Sequence, residues 1–289
     1  VTLGIGGNDF GLFGGLIDSC AELAAANPEA DAPCRDSFTI DGVYSVLDCG
    51  LISVALDPEF ELNGLLYVGM CASEQESEIR RYTFDRADYA SIPDSEALVI
   101  NLGDPEAPKP WHNVGSIGFE ADGVMWALFG DKKVADNGQD QTNALSSLVR
   151  LIPDRSPDGS GFEPAPDNPL SGDGGSPLIY AWGLRSPWKG LRDERGRYWF
   201  GDVGANAVEE FNVIVEPGQN FGWPTAEGPC EADCEGLTDP ITFWRHEGVH
   251  RYAAEDDEVV PTNARVAYVG VEVRPSSADP YRGALDEHV

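Results

Sequence analysis

The sequence predicts a mainly β protein assembled from a repeated strand–turn–strand unit, and three observations carry that prediction. Of 289 residues, 33 are glycine and 21 are proline, a composition that favours turn-rich sheet over long helices. Residues 51–56 and 65–70 are apolar runs of strand length, separated by Asp57-Pro58 and Asn63-Gly64. The same design returns at residues 115–119 and 124–129 around Asp122-Gly123, and again around Arg195-Gly196 ahead of residues 197–200. Each turn places glycine where a positive φ is needed. Glycines 64, 123 and 196 stand about one propeller blade or a little more apart, because four-stranded blades recur roughly every 40–50 residues and stretch with insertions.

Taken in order, residues 78–84 and 97–101 supply outer strands to the first unit, and residues 146–152 do so for the second. Residues 154–175, rich in Pro, Asp and Gly, read as a surface insertion. Residues 176–228 are the most informative stretch. An apolar run at 178–184 is interrupted by Arg185-Ser186-Pro187, since proline is poorly tolerated inside a central strand. The aromatic run 198–200, Gly201-Asp202, Glu209, Glu210, a second run at 211–215 and an aromatic turn at 220–224 follow. Short strands therefore meet at loops that hold one arginine and several acidic or amide oxygens. That mixture suits an anionic ligand, a divalent cation, or both. Decorated turns of an ordinary sheet protein are the plainer reading, and spacing alone leaves the two open. The expected architecture is about four four-stranded blades from roughly residue 47.

Formal charge is −31, with 50 acidic against 19 basic residues, which argues against a phosphate-neutralising nucleic-acid surface. Adaptation to a saline medium and ordinary acidic drift both account for such a surface. No apolar run approaches the roughly 18 residues of a membrane helix. The six cysteines form three sequence-local couples, Cys20/Cys34, Cys49/Cys71 and Cys230/Cys234. Local couples favour disulfides and an oxidising compartment, extracellular or periplasmic. Cys49–Cys71 and Cys230–Cys234 are the expected bridges, because both couples flank turns or neighbouring strands. None of the spacings is a CxxC zinc pair.

Three ordered motifs, YAWGLRSPW (180–188), GDVGANAVEEFN (201–212) and QNFGWPTAEG (219–228), closely resemble those of the soluble glucose/sorbosone dehydrogenases. CGLISVALDPEFELNGLLYVGM (49–70) and WHNVGSIGFEADGVMWALFGD (111–131) resemble two further blades of that family. The resemblance covers roughly residues 47–285 and implies a partial six-bladed β-propeller that binds pyrroloquinoline quinone (PQQ). It implies oxidation of aldose sugars at C1 to lactones, with electrons passed to an acceptor. His112 then aligns with the family's general base. Asn113, Arg185 and Ser186 align with cofactor contacts, the arginine matching a tricarboxylate cofactor by charge. Glu210 and the backbone carbonyl of Phe221 align with a structural Ca²⁺ site, for which oxygen-only ligation is appropriate. Ser186 stands where the family has asparagine, Asp48 stands where it has glutamine, and the family's later lysine and paired arginine contacts have no counterpart assigned to Arg265 or Arg274. The chain alone is therefore expected to be inactive. The alternative is a non-enzymatic propeller that binds sugars or a protein partner without cofactor.

Residues 1–45 read differently. Gly6-Gly7-Asn8-Asp9 after a strand-like start, with Cys20 and Cys34 downstream, resembles the GGND block of SGNH (GDSL-type) hydrolases. The resemblance implies a short α/β fragment in which Asn8 would donate its amide to an oxyanion. With neither the family's serine nor its DxxH histidine alongside, residues 1–45 are expected to be a remnant without esterase activity. Two domains follow, 1–45 and 46–289. His246-Glu247-Gly248-Val249-His250 is formally HExxH, but a zinc site would need a helix holding Gly248, so that reading is set aside.

Overall fold

The computed structural model describes residues 50–85, 90–92, 95–157, 159–170 and 174–245, together with short backbone strands at 39–40, 43–44, 249–251 and 259–261. The chain falls into two compact units, Val1–Leu47 and Asp48–Val289. In the first, Thr39–Ile40 pairs antiparallel with Val43–Tyr44. The expected strand and helix of residues 1–23, and Asn8 with them, lie outside the described residues.

Among the described residues the second unit contains three antiparallel sheets of four or more strands, besides a two-stranded pair at residues 249–251 and 259–261. Sheet 1 is built from β1 (Gly50–Leu56), β2 (Leu65–Cys71), β3 (Glu76–Asp85) and β4 (Ala97–Gly103), paired in that order. Sheet 2 contains β5 (Val114–Phe119), β6 (Met125–Phe129) and β7 (Ser147–Pro153). The outer edge of β7 is shared by β8 (Phe162–Pro164) along one half and β9 (Ile179–Trp182) along the other. Sheet 3 runs β10 (Pro187–Arg192), β11 (Tyr198–Asp202), β12 (Val208–Ile214) and β13 (Thr242–Arg245). The sheets therefore follow the predicted hairpins, while a fourth blade is not found among the described residues.

Side-chain alternation explains how sheet 2 is placed. Met125, Ala127, Phe129, Val149 and Leu151 point into one core with Leu65, Tyr67 and Ile79 of sheet 1. Trp126, Leu128 and Leu148 point the other way, into a second core with Tyr198, Phe200 and Ile214 of sheet 3. Successive strand residues face opposite sides, so a strand buried on both faces must be apolar throughout. That is why residues 124–129 form a continuous apolar run rather than an alternating one.

The first strands of the three sheets converge. Ile117 N donates to Ser53 Oγ at 3.2 Å, Gly190 N to Ser116 Oγ at 2.9 Å, and Lys189 Nζ to the Ile52 carbonyl at 2.8 Å. Gly115 is required at this contact, because a Cβ there would collide with the carbonyl oxygens of Pro187 and Trp188. Radial sheets with converging first strands are the arrangement of a propeller. A buried ion network ties sheets 2 and 3: Glu120 accepts from Arg150 Nε at 2.6 Å and Tyr198 Oη at 2.6 Å, and pairs with Arg192 at 3.2 Å.

One expectation needs correction. Residues 154–175 are only partly a surface insertion. Phe162–Pro164 joins sheet 2, and buried Asn168 donates its amide to the carbonyls of Arg150 and Pro177, both at 2.8 Å. Composition marked the segment as loop, but backbone pairing and one asparagine hold it in the sheet. The formal HExxH fails as a helix: His250 lies in the strand Val249–Arg251, which pairs with Val259–Pro261. Of the expected bridges, Cys230–Cys234 is present, and Cys71 is disulfide-bonded with its partner outside the described residues.

Candidate functional site

Antiparallel pairing brings the start of β5 beside the end of β6, and the start of β10 beside the end of β11. The residues just outside these strands make the site. His112 precedes β5 and is buried, 7 % exposed, with φ of 51°. Its Nδ1 lies 2.5 Å from Asp131 Oδ1 in the turn after β6. A carboxylate can only accept, so the imidazole proton sits on Nδ1 and Nε2 becomes the ring's acceptor nitrogen. Asp131 is itself held by three donors: His112, Lys133 N at 2.6 Å, and Trp223 Nε1 at 2.8 Å on the other oxygen. Its backbone N–H donates to the Arg185 carbonyl at 2.9 Å, and its carbonyl accepts from Asn137 at 3.1 Å. A buried acid that holds an imidazole in this way can equip it to act as a general base, and the contact joins the turn of sheet 2 to the loop of sheet 3.

Arg185 comes into the same constellation. Its guanidinium stacks 5.3 Å from the Trp223 ring centroid, and Nη1 donates to the carbonyls of Val203 and Gly204, both at 2.7 Å. Nε is buried without a hydrogen-bond partner. Ser186 N donates to Asp202 Oδ1 at 2.6 Å and Arg185 N to Oδ2 at 2.9 Å, so Asp202 fixes the loop that presents the arginine. Asn113 is 2 % exposed, and its amide faces inward. Oδ1 accepts from Ser77 Oγ at 2.9 Å and Lys132 Nζ at 2.6 Å, while Nδ2 donates to the Pro110 carbonyl at 2.7 Å. The amide of Asn113 is thus a brace beneath His112.

Glu210 pairs across the ladder with Asp202. Oε1 of Glu210 accepts from Gly228 N at 2.6 Å and Oε2 from Asn212 Nδ2 at 3.0 Å. Burial first, and the neighbouring Glu210 charge second, push Asp202 up to about 8. Burial also raises Glu210. A small cavity of about 10 Å³, lined by Arg185, Asp202, Glu210, Trp223 and Glu227 among others, lies at this point. Phe221 is buried against Phe200, and its N–H donates to the Trp182 carbonyl at 2.9 Å. The structure thus unites His112 and Arg185 through Asp131 and Trp223, and couples Ser186 and Glu210 to them through Asp202.

Asp131, Trp223 and Asp202 were not singled out by sequence reasoning. Gly130-Asp131 and Gly201-Asp202 were visible as acidic residues closing apolar runs, and that signal was available.

Converging antiparallel sheets define a protein of the β-propeller class, here with an acid-oriented histidine beside a stacked arginine at one end. The chain belongs to the Glucose / Sorbosone dehydrogenase family, whose model matches residues 30–255. The HIPL2 protein of Arabidopsis thaliana is 31 % identical over 165 residues, 48 % of this chain and 24 % of the relative. Quinoprotein glucose dehydrogenase B of Acinetobacter calcoaceticus is 25 % identical over 236 residues, covering 72 % of this chain and 46 % of that protein. Among solved structures, the PQQ-bound aldose sugar dehydrogenase of Streptomyces coelicolor is similar at a TM-score of 0.57 and 28 % identity, covering 70 % of this chain and 56 % of that one. The apo aldose sugar dehydrogenase of Escherichia coli shares the fold at a TM-score of 0.56 and 20 % identity. The chain thus spans about half the length or less of these curated relatives. The family match reaches back to residue 30, inside the segment read as hydrolase-like, and the comparisons give that SGNH reading no support.

Proposed function

We propose that this chain forms part of a PQQ-dependent dehydrogenase that oxidises aldose sugars at C1 to lactones. The buried His112–Asp131 pair, held by Trp223 beside Arg185, is the observation that carries the reading. PQQ, when bound, supplies the quinone that accepts hydride from C1. His112 Nε2 takes the C1 hydroxyl proton, and Asp131 keeps Nδ1 protonated and stabilises the imidazolium that forms. Arg185 suits an anionic cofactor because its buried Nε still lacks an acceptor. Ser186 and Asn113 act from behind, one through its backbone on Asp202 and the other as the brace under His112.

Ca²⁺ is proposed at Glu210 and the Phe221 carbonyl, with Asp202 as the acidic neighbour. Burial raises the proton affinity of both carboxylates, with the Glu210 charge adding to Asp202 and the Glu227 and Glu209 charges adding to Glu210, and such crowded acids are a donor set that a divalent cation relieves. Among the described residues no group of three or more His, Cys, Asp or Glu is placed to hold a metal, so carbonyls and water would complete the shell. An extracellular or periplasmic location is proposed on the Cys230–Cys234 bridge.

The test is titration with PQQ in the presence of Ca²⁺, followed by dye reduction with glucose and other aldoses. It is run on the chain and on the chain joined to the remaining blades of the Streptomyces coelicolor relative. The reading expects saturable PQQ binding and PQQ-dependent dye reduction in the joined protein. Sugar binding without PQQ binding would instead favour a propeller that recognises sugars without catalysis.

A further inference from the structure

The turn Asp131-Lys132-Lys133 grips the segment Trp111-His112-Asn113 residue by residue. Asp131 holds His112, Lys132 Nζ donates to Asn113 Oδ1 at 2.6 Å, and Lys133 Nζ lies 4.1 Å from the Trp111 ring centroid. Three of these six residues are in the left-handed region without being glycine: His112 at 51°, Lys132 at 54° and Lys133 at 60°. Such conformations are strained and persist only where surrounding contacts enforce them.

Lys132 is the telling member. It is fully buried, its hydrogen-bond acceptor is a neutral amide, and the Glu76 carboxylate supports its charge only from farther off. Burial accordingly draws the ammonium down to about 8. A buried ammonium so placed is poor for stability, since an apolar chain of equal length would fill the space without desolvating a charge. Its contribution is better sought in what it holds.

We propose that Lys132 and Lys133 are positioning residues for His112, fixing the residues on either side of it so that the imidazole keeps its bond to Asp131 and presents Nε2. The proposal rests on the reading of His112 as the base. Its readout is independent of that reading, because the histidine's tautomer and Nδ1–H can be observed without sugar or cofactor.

The experiment is NMR of the whole chain, following the His112 Nδ1–H resonance and the imidazole ¹⁵N shifts, alongside thermal melts. Lys132→Met should lose or broaden the Nδ1–H resonance while its melting midpoint stays at or above wild type. Lys133→Met should weaken the resonance, and the double variant should abolish it. Lys132→Gln, which keeps an N–H donor toward Asn113, should retain it. An unchanged resonance in the double variant overturns the proposal. A lowered midpoint or failure to fold in Lys132→Met also overturns it, by making the lysine a structural support. In the dye-reduction assay the same variants should lower kcat and leave the sugar KM unchanged. If His112→Ala leaves turnover intact, the functional reading falls while the NMR result for the lysines stands.

Discussion

Replacing Asp131 by asparagine removes one charge and one acceptor from a buried carboxylate that serves three donors. Oδ1 accepts from His112 Nδ1 at 2.5 Å and Lys133 N at 2.6 Å, and Oδ2 accepts from Trp223 Nε1 at 2.8 Å. If the new amide keeps its oxygen toward His112, its NH₂ faces the Trp223 N–H and one donor is stranded. If it turns, Trp223 is served but Lys133 N loses its acceptor, and the NH₂ now donates to Nδ1. In that second arrangement the imidazole proton moves to Nε2 and the base is silenced. Either arrangement strands one half-buried donor, for about 1 kcal/mol of stability, at the low end of the range for unsatisfied groups. Turnover should fall on the order of 10²–10⁴-fold, the scale of general-base loss. Denaturant melts give the first quantity, ¹⁵N shifts of His112 report the tautomer, and dye reduction in the joined protein gives the second. An Asp131→Asn protein with wild-type stability, tautomer and turnover would refute the reasoning.

Two further predictions concern charge. Glu210→Gln should be neutral to stabilising near pH 8, because it ends the repulsion with Asp202; its remaining oxygen can keep the Gly228 N–H, and its NH₂ can donate to Asn212 Oδ1 once that amide turns over. Asp202 keeps its proton in the folded chain up to about 8, against an ordinary value of 3.8, so the folded state binds more protons across that window and wild-type stability declines as pH rises through it. Melting midpoints at pH 5 and pH 8, with Ca²⁺ or chelator, should show this decline and its relief by Ca²⁺ in the wild type; Glu210→Gln, which keeps the burial of Asp202 but not the neighbouring charge, should show a shallower decline that Ca²⁺ does not relieve, and equal slopes would contradict it. Glu120→Gln should lose about 2–4 kcal/mol in denaturant melts, since it removes the carboxylate shared by Arg150 and Arg192 and leaves the buried Arg150 guanidinium with only the exposed Asp167. A loss below about 1 kcal/mol would mean that the network contributes little to joining sheets 2 and 3.

The three sheets were legible because their middle strands are buried on both faces and their turns carry glycine at positive φ, as at Gly64, Gly123 and Gly196. Pro187 was read as a break and proves to be the first residue of β10, a place where a missing N–H costs nothing. Phe162–Pro164 was not legible, because its pairing depends on the exposed edge of β7 and not on its own side chains. At the site, motif order marked His112, Arg185 and Glu210. The roles of Asp131 and Trp223 depend on a contact across 92 residues, which no local pattern reveals. Asn113 shows the opposite limit: its position beside His112 was clear, but the direction of its amide is set by Ser77 in sheet 1.

The most direct test of the account compares His112→Ala with wild type in the PQQ-loaded joined protein, measuring aldose-driven dye reduction and PQQ affinity together. The account predicts turnover lower by on the order of 10²–10⁴-fold with PQQ affinity nearly unchanged. Equal turnover in the two proteins, or dye reduction that does not depend on PQQ, would contradict it.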